Sequence, residues 1–267
     1  MPLSRAHYYL IALLVFTLWA FWPSYLSDLP AGKPAWHVHA AGSLLWVGLA
    51  ILQSWSIHSG RRALHRSAGL ASFLAFPLFL VGGLMAIHAE SVTLAAHLGD
   101  PEYANFAQFG FFDPLANIGF SLLFYGGLKA RRNIQLHARY MLSTVMFLVA
   151  PVIWRLLRTY FHFFNSGPPE SPHNFSYAFG LGNLVALAIA IYLYRKAPKH
   201  GQPFLIAAGF IFFQWSLFET AGRLESWALL FSRFSTLPLT GVIVVTFAVS
   251  VAIMWRGWVL GRASEKA

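Results

Sequence analysis

Several of the chain's 11 histidines stand at the ends of long apolar stretches, where an imidazole can bind a metal or a haem iron. His65 and His137 each open such a stretch, and paired histidines on neighbouring helices are the ligands that a b-type haem requires. A helix N-terminus also attracts anions, such as a phosphate, a lipid headgroup or a haem propionate. We therefore predict a haem or anion site at His65 and His137, with Arg66 and Arg139 beside it. Generic anchoring to lipid headgroups explains the arginines equally well.

A second set of candidate ligands stands near the opposite ends of the apolar stretches. Imidazole nitrogens and carboxylate oxygens bind zinc, copper or non-haem iron, so their convergence would create a divalent-metal site. Arg155 is predicted to lie at the same depth of the bundle as these ligands, on a polar stripe of its own helix. Ordinary hydrogen bonds and ion pairs between helices are the alternative explanation. The predicted metal ligands are His39, His88, Asp113, His162 and Glu219.

The composition indicates which elements must position these residues. The chain is 57% hydrophobic and 10% charged, whereas a soluble domain carries about 25% charged residues. A bilayer removes the need for a polar surface, so we predict an integral membrane protein. The net charge of +10 then reflects contacts with anionic lipid headgroups rather than nucleic acid. Because the chain has no Cys, disulfides, thiolate catalysis and Cys-ligated metal sites are excluded.

A helix needs about 20 mostly apolar residues to cross the hydrocarbon core. Stretches of this kind predict an all-α, polytopic bundle of about eight transmembrane helices that forms a single membrane domain over residues 1–267. The segment from Leu224 to Phe234 mixes aromatic and charged residues, and we expect a short amphipathic helix there. The predicted spans are 8–27, 36–56, 68–88, 111–128, 139–162, 175–194, 203–220 and 237–255.

The basic residues give the predicted bundle an orientation. With eight crossings, most of the 19 Lys and Arg residues fall on the side that carries both termini, and cytoplasmic loops are the ones enriched in these residues. We therefore predict a bacterial inner-membrane protein with both termini in the cytoplasm. The bases on that side are Arg5, Arg61, Arg62, Arg66, Lys129, Arg131, Arg132, Arg139, Arg195, Lys196, Lys199, Arg256, Arg262 and Lys266.

Short motifs over residues 36–160 resemble the bacterial membrane proteins of domain-of-unknown-function family 2306. Ala138 and Tyr140 depart from the family pattern, which more often has Arg and Trp at these positions. The resemblance implies a four-helix core at about 36–162, with accessory helices at 8–27 and 175–255, and it implies no activity. The motifs are His39-Ala40-Ala41-Gly42, Leu64-His65-Arg66-Ser67-Ala68-Gly69, Gly110-Phe111, His137-Ala138-Arg139-Tyr140-Met141 and Arg155.

Four kinds of function fit these observations. We favour a redox-linked membrane protein with a single b-type haem, because two haems bound by His65–His137 and His88–His162 would lie about 35 Å apart along the helices. The alternatives are a transporter of a small solute or metal ion, and a non-catalytic sensor or assembly factor. A metal-dependent enzyme at the outer face also stays open, as does homo-oligomerisation. Membrane lipids are the expected partners.

The predicted orientation can be tested with reporter fusions. A reporter fused after Arg66 should read as cytoplasmic, because it follows a cluster of basic residues. A reporter fused near Glu102 should read as external. The reverse pattern, or the same side for both fusions, would contradict the orientation.

Overall fold

The computed structural model describes residues 3–165 and 172–263, and over these residues every regular element is a helix. The all-α prediction is therefore confirmed. Short 3₁₀ turns join some of the helices. The α-helices are α1 (Ala6–Phe21), α2 (Pro34–His58), α3 (Arg62–Ala96), α4 (Ala104–Lys129), α5 (Ile134–Ser143), α6 (Met146–Tyr160), α7 (His162–Asn165), α8 (Pro172–Lys196), α9 (Gln202–Glu219), α10 (Glu225–Ser232) and α11 (Leu239–Ala263).

The helices carry the lengths and the apolar surface of a multi-pass membrane protein. Six spans are long and apolar enough to cross a membrane, and α5 and α6 together make one of them. The helix α1 is apolar but has 16 residues, and α4 has 26 residues. Large apolar side chains cover the outside of the bundle; Leu74 is 75% exposed and Trp255 is 70% exposed. Such a surface suits lipid rather than water.

Two helices differ from their predicted bounds. The span predicted at 139–162 is two helices, since the regular hydrogen bonding breaks between Ser143 and Met146. Ser143 and Thr144 donate their hydroxyls to the carbonyls of Tyr140 and Met141, at 2.9 and 2.7 Å, and such bonds locally bend a helix. The helix α3 continues to Ala96, well beyond the predicted end at residue 88.

The segment predicted as a short amphipathic helix forms α10. Phe231 is buried, and Trp227 donates its indole N–H to the carbonyl of Ala107 on α4 at 2.8 Å. Leu229 and Leu230 face outward. This helix therefore covers one end of α4 with one face and presents an apolar face to the outside.

An aromatic core joins α2, α3, α4 and α5. Phe79 stacks on Phe120 with ring centroids 4.0 Å apart, and Phe76 stacks on Phe124 at 4.2 Å. Trp46 of α2 packs its edge against Phe120 and Phe124 and donates its indole N–H to Thr144 at 2.9 Å. These contacts fix the four helices relative to one another.

Two consecutive glycines on α3 let α2 and α4 approach its backbone closely. A Cβ on Gly82 of α3 would lie 2.7 Å from the Cα of His39 on α2, and one on Gly83 would lie 2.5 Å from the Oδ1 of Asn117 on α4. On α2, a Cβ on Gly42 would lie 2.8 Å from the Cα of Phe79. The helices α2 and α4 can approach α3 this closely because these positions carry no side chain.

The remaining helices surround this unit. The helix α1 packs on α2 and α6. The helix α8 packs on α6, α9 packs on α4, and α8 and α9 also pack on each other. The helix α11 lies against α3 and α4. Because short connections join antiparallel helices, the ends near Arg61, Lys129 and Arg195 lie at the same side of the bundle. We call this side the basic end and the other side the distal end.

Substitution of Gly82 by Ala should destabilise the protein by about 1–3 kcal/mol, because the new methyl group meets backbone atoms of α2. The matched control is Gly48→Ala on α2, where a Cβ would meet nothing within 4 Å. This control should be neutral or stabilising, since Ala favours a helix over Gly by up to about 1 kcal/mol. Thermal unfolding of the detergent-solubilised variants measures both effects, and equal behaviour of the two would contradict the packing described above.

Candidate functional site

Two carboxyl groups meet inside the distal half of the bundle. The side chains of Glu90 on α3 and Asp113 on α4 lie close enough to interact electrostatically and to form a hydrogen bond when one of them is protonated. A hydrogen bond between two carboxyl groups requires a proton on one of them. The Oε2 atom of Glu90 is buried and accepts no hydrogen bond from any donor in the described residues. The pair is therefore a place where the bundle can hold a proton.

Arg155 of α6 is the positive charge beside this pair. It lies within electrostatic range of both Glu90 and Asp113 but forms no direct ion pair with a described residue. Its guanidinium instead lies over the rings of Trp154 and Phe21, at 4.1 and 4.3 Å from their centroids. A guanidinium over aromatic faces keeps its in-plane donors available, and one of these reaches the carbonyl of Pro151 at 3.3 Å.

His39 of α2 completes the group, which we call the distal cluster (His39, Glu90, Asp113 and Arg155). Its imidazole is also within electrostatic range of Arg155. All four side chains are enclosed between helices, yet each keeps part of its surface free of protein contacts.

Unpartnered polar atoms surround the distal cluster. The Nδ1 of His39, the Oγ of Ser43 and the Oδ1 of Asn117 are buried and have no hydrogen-bond partner in the described part of the chain. Buried polar atoms are nearly always hydrogen-bonded in folded proteins. These unpartnered atoms lie in the same region between α2, α3 and α4. Their free hydrogen-bonding positions suit a polar ligand.

The glycine pair positions the distal cluster. Gly82 admits the backbone of α2 at His39, and Gly83 admits Asn117. Gly83 and Glu90 are seven residues apart, so they share a face of α3, and Asp113 and Asn117 are one turn apart on α4. Hence the contact at Gly83 also aligns the two carboxyl groups one or two turns further on.

The other predicted metal ligands do not join this cluster. His88 donates its Nε2–H to the carbonyl of Leu237 at 3.0 Å. Glu219 forms an ion pair with Arg223, and His162 is exposed in the short helix α7. Over residues 3–165 and 172–263, no three His or carboxylate side chains come together as a metal-binding set. Of the predicted ligands, His39 and Asp113 both lie within electrostatic range of Arg155.

The predicted pair at the basic end does come together. His65 of α3 and His137 of α5 lie within electrostatic range of each other. His137 donates its Nδ1–H to the carbonyl of Gly127 at 2.8 Å, and His65 donates its Nδ1–H to the carbonyl of Gln53 at 3.3 Å. A carbonyl can only accept, so in both rings the lone pair is on Nε2. Neither Nε2 has a hydrogen-bond partner among the described residues.

The arginines predicted beside this pair have different surroundings. Arg66 is exposed, whereas Arg139 is buried and donates to the carbonyl and the side-chain oxygen of Gln135 at 2.9 and 2.6 Å. Arg131 is the basic residue within electrostatic range of His137, and it donates to the carbonyl of Trp258 at 2.8 Å. Arg131 therefore links α11 to the histidine pair.

Comparison with known proteins adds no assignment. No protein-family model matches the chain, and no curated protein and no solved structure matches it. The resemblance to domain-of-unknown-function family 2306 thus stays a proposal.

Glu90 is a functional candidate that the sequence pattern did not reveal. The predicted span ends at residue 88, two residues before Glu90, whereas α3 continues to Ala96. The seven-residue spacing from Gly83 is the signal that could have found it, since it puts the carboxylate on the face that packs against α4.

Proposed function

We propose that this protein is a proton-coupled carrier of a small anionic solute, and that the distal cluster binds the proton and the solute. The carrier would have eight membrane crossings, with both termini on the cytoplasmic side of a bacterial inner membrane. The observation that supports this function is the close pair of carboxyl groups, Glu90 and Asp113, beside Arg155. Ionisable groups inside a membrane bundle are costly, and they mark ion pathways and proton relays.

The carboxyl pair supplies the proton-coupling part of the proposal. With one shared proton the pair carries one negative charge, which balances the charge of Arg155. Loss of that proton would leave two adjacent carboxylates in an apolar bundle, at a high electrostatic cost. A change of conformation that exposes the pair to water lowers this cost. Proton release is thereby coupled to the opening of the bundle.

Arg155 supplies the solute-binding part. Its guanidinium is near the carboxyl pair without a direct ion pair, so its donors can receive an anionic group of a solute. Binding of an anion at Arg155 also favours retention of the proton on the neighbouring pair, because the anion offsets the positive charge that stabilises a second carboxylate. Solute and proton would therefore move together.

This proposal predicts that an anionic solute dissipates a pH gradient through the protein. Proteoliposomes with an internal pH-sensitive dye would receive carboxylates, phosphate esters, amino acids and sugars in turn. Wild-type protein should dissipate the gradient with at least one anionic class. The variants Glu90→Gln and Asp113→Asn should reduce the rate to that of protein-free vesicles, because an amide cannot exchange the proton.

The matched control is Glu102→Gln, which removes an exposed carboxylate outside the distal cluster. It should retain the wild-type rate. Equal rates in the wild type and in Asp113→Asn would contradict the proposal, and so would a wild-type protein that responds to none of the solutes. Infrared spectra in D₂O provide a second readout, since the carbonyl band of a protonated carboxyl group should disappear in Glu90→Gln and persist in Glu102→Gln.

A single b-type haem at the basic end is the second candidate function. It is favoured by the proximity of His65 and His137 and by the carbonyl bonds of both Nδ1 atoms. An axial histidine needs its Nε2 lone pair free and its other ring nitrogen held by an acceptor, and both rings meet this condition. The haem would carry electrons within the membrane, and Arg131 would lie near its propionates.

The haem candidate predicts a Soret band in the protein purified from haem-supplemented cells. The variants His65→Ala and His137→Ala should each lose the band, because either change removes an axial ligand. The control His97→Ala alters an exposed ring at the distal end and should keep it. A purified wild type without a Soret band would exclude this candidate and leave the carrier proposal unaffected.

A further inference from the structure

A second pair of histidines lies at the basic end, between α1 and α2. His7 stands in the first turn of α1, and His58 is the last residue of α2. Their ring centroids are 6.5 Å apart and the rings are tilted by 32°. The Nδ1 of His7 and the Nε2 of His58 are both buried, and neither has a hydrogen-bond partner in the described part of the chain.

The tautomer of the neutral His58 ring is set by a hydrogen bond within its own helix. Its Nδ1 lies 2.6 Å from the carbonyl of Ser54, and this nitrogen must donate because a carbonyl only accepts. The neutral ring therefore has its lone pair on the buried Nε2. Histidines that bind metals usually have this arrangement, with one ring nitrogen held by a carbonyl and the other directed at the ion.

The separation of the rings fits one small ion between them. In a linear nitrogen–metal–nitrogen arrangement, each metal–nitrogen bond is about 2.0 Å long, and each nitrogen lies about 1.1 Å from the centre of its ring. The two ring centroids are then about 6.2 Å apart. The observed 6.5 Å is close to this value. A direct hydrogen bond between the rings would bring them much closer, and a haem would require the two nitrogens to face an open slot. Both nitrogens are enclosed by protein atoms instead.

We propose that His7 and His58 form a two-coordinate site for a monovalent d¹⁰ ion, with copper(I) as the natural occupant. Zn²⁺ prefers four ligands, and no set of three His or carboxylate side chains exists over residues 3–165 and 172–263. Monovalent copper accepts two imidazole nitrogens in a line. The predicted orientation puts this end of the bundle in the cytoplasm, where the reducing conditions keep copper monovalent. The site is separate from the distal cluster and does not depend on the carrier proposal.

The test is an anaerobic titration of the detergent-purified, metal-free protein with copper(I) against a chromogenic copper(I) chelator. Wild-type protein should bind one equivalent. His7→Ala and His58→Ala should each weaken the affinity by at least about tenfold, since each removes one of two ligands and loss of a mere outer-shell partner already costs 10–100-fold. His200→Ala is the matched control, because it alters another histidine at the basic end and should bind as the wild type does.

X-ray absorption of the copper-loaded wild type keeps the proposal testable if the variants unfold. It should show two nitrogen neighbours in a linear arrangement. Sulfur or four-coordinate ligation would overturn the proposal, and so would wild-type affinity in folded His7→Ala and His58→Ala proteins. Stoichiometric Zn²⁺ binding that competes with copper(I) would overturn the assignment of a monovalent ion.

Discussion

The close approach of α2 and α4 to the backbone of α3 at Gly82 and Gly83 is the constraint on which the distal cluster depends. Without side chains at these positions, α2 and α4 lie directly against α3. Helices in an apolar environment gain little from burying apolar surface, so close packing of small residues is an important source of their association. The same contact brings His39 and Asn117 to one level of the bundle and aligns Glu90 with Asp113. Packing and chemistry therefore have a common origin in this protein.

The distal cluster is incompletely satisfied, and this distinguishes it from a structural ion pair. A buried ion pair that serves stability needs direct contact and a full set of hydrogen bonds. Here Arg155 remains apart from the carboxyl pair, and polar atoms of His39, Ser43 and Asn117 have no partner in the described residues. A site that binds and releases a proton needs hydrogen-bonding groups without fixed partners. A network in which every group is already paired has no free group to take up the proton or a ligand.

The two ends of the bundle have different chemistry. The basic end has histidines whose Nδ1 atoms are held by backbone carbonyls, as in His58, His65 and His137. This leaves neutral nitrogen ligands, suited to a metal ion or a haem. The distal end has carboxyl groups and a guanidinium, suited to protons and anions.

The sequence by itself determined the helical class and the apolar stretches long enough to span a membrane, and it predicted that His65 and His137 lie at one end of the bundle. These follow from composition, from the length of apolar runs and from short motifs at helix ends, which are local properties of the chain. Only the tertiary structure decided which polar residues meet. Glu90 belongs to the distal cluster because α3 continues past its apolar run, while His88 and Glu219 find partners elsewhere. Convergence of side chains depends on helix rotation and on backbone distance, and these are fixed by contacts between helices rather than by the order of residues within one.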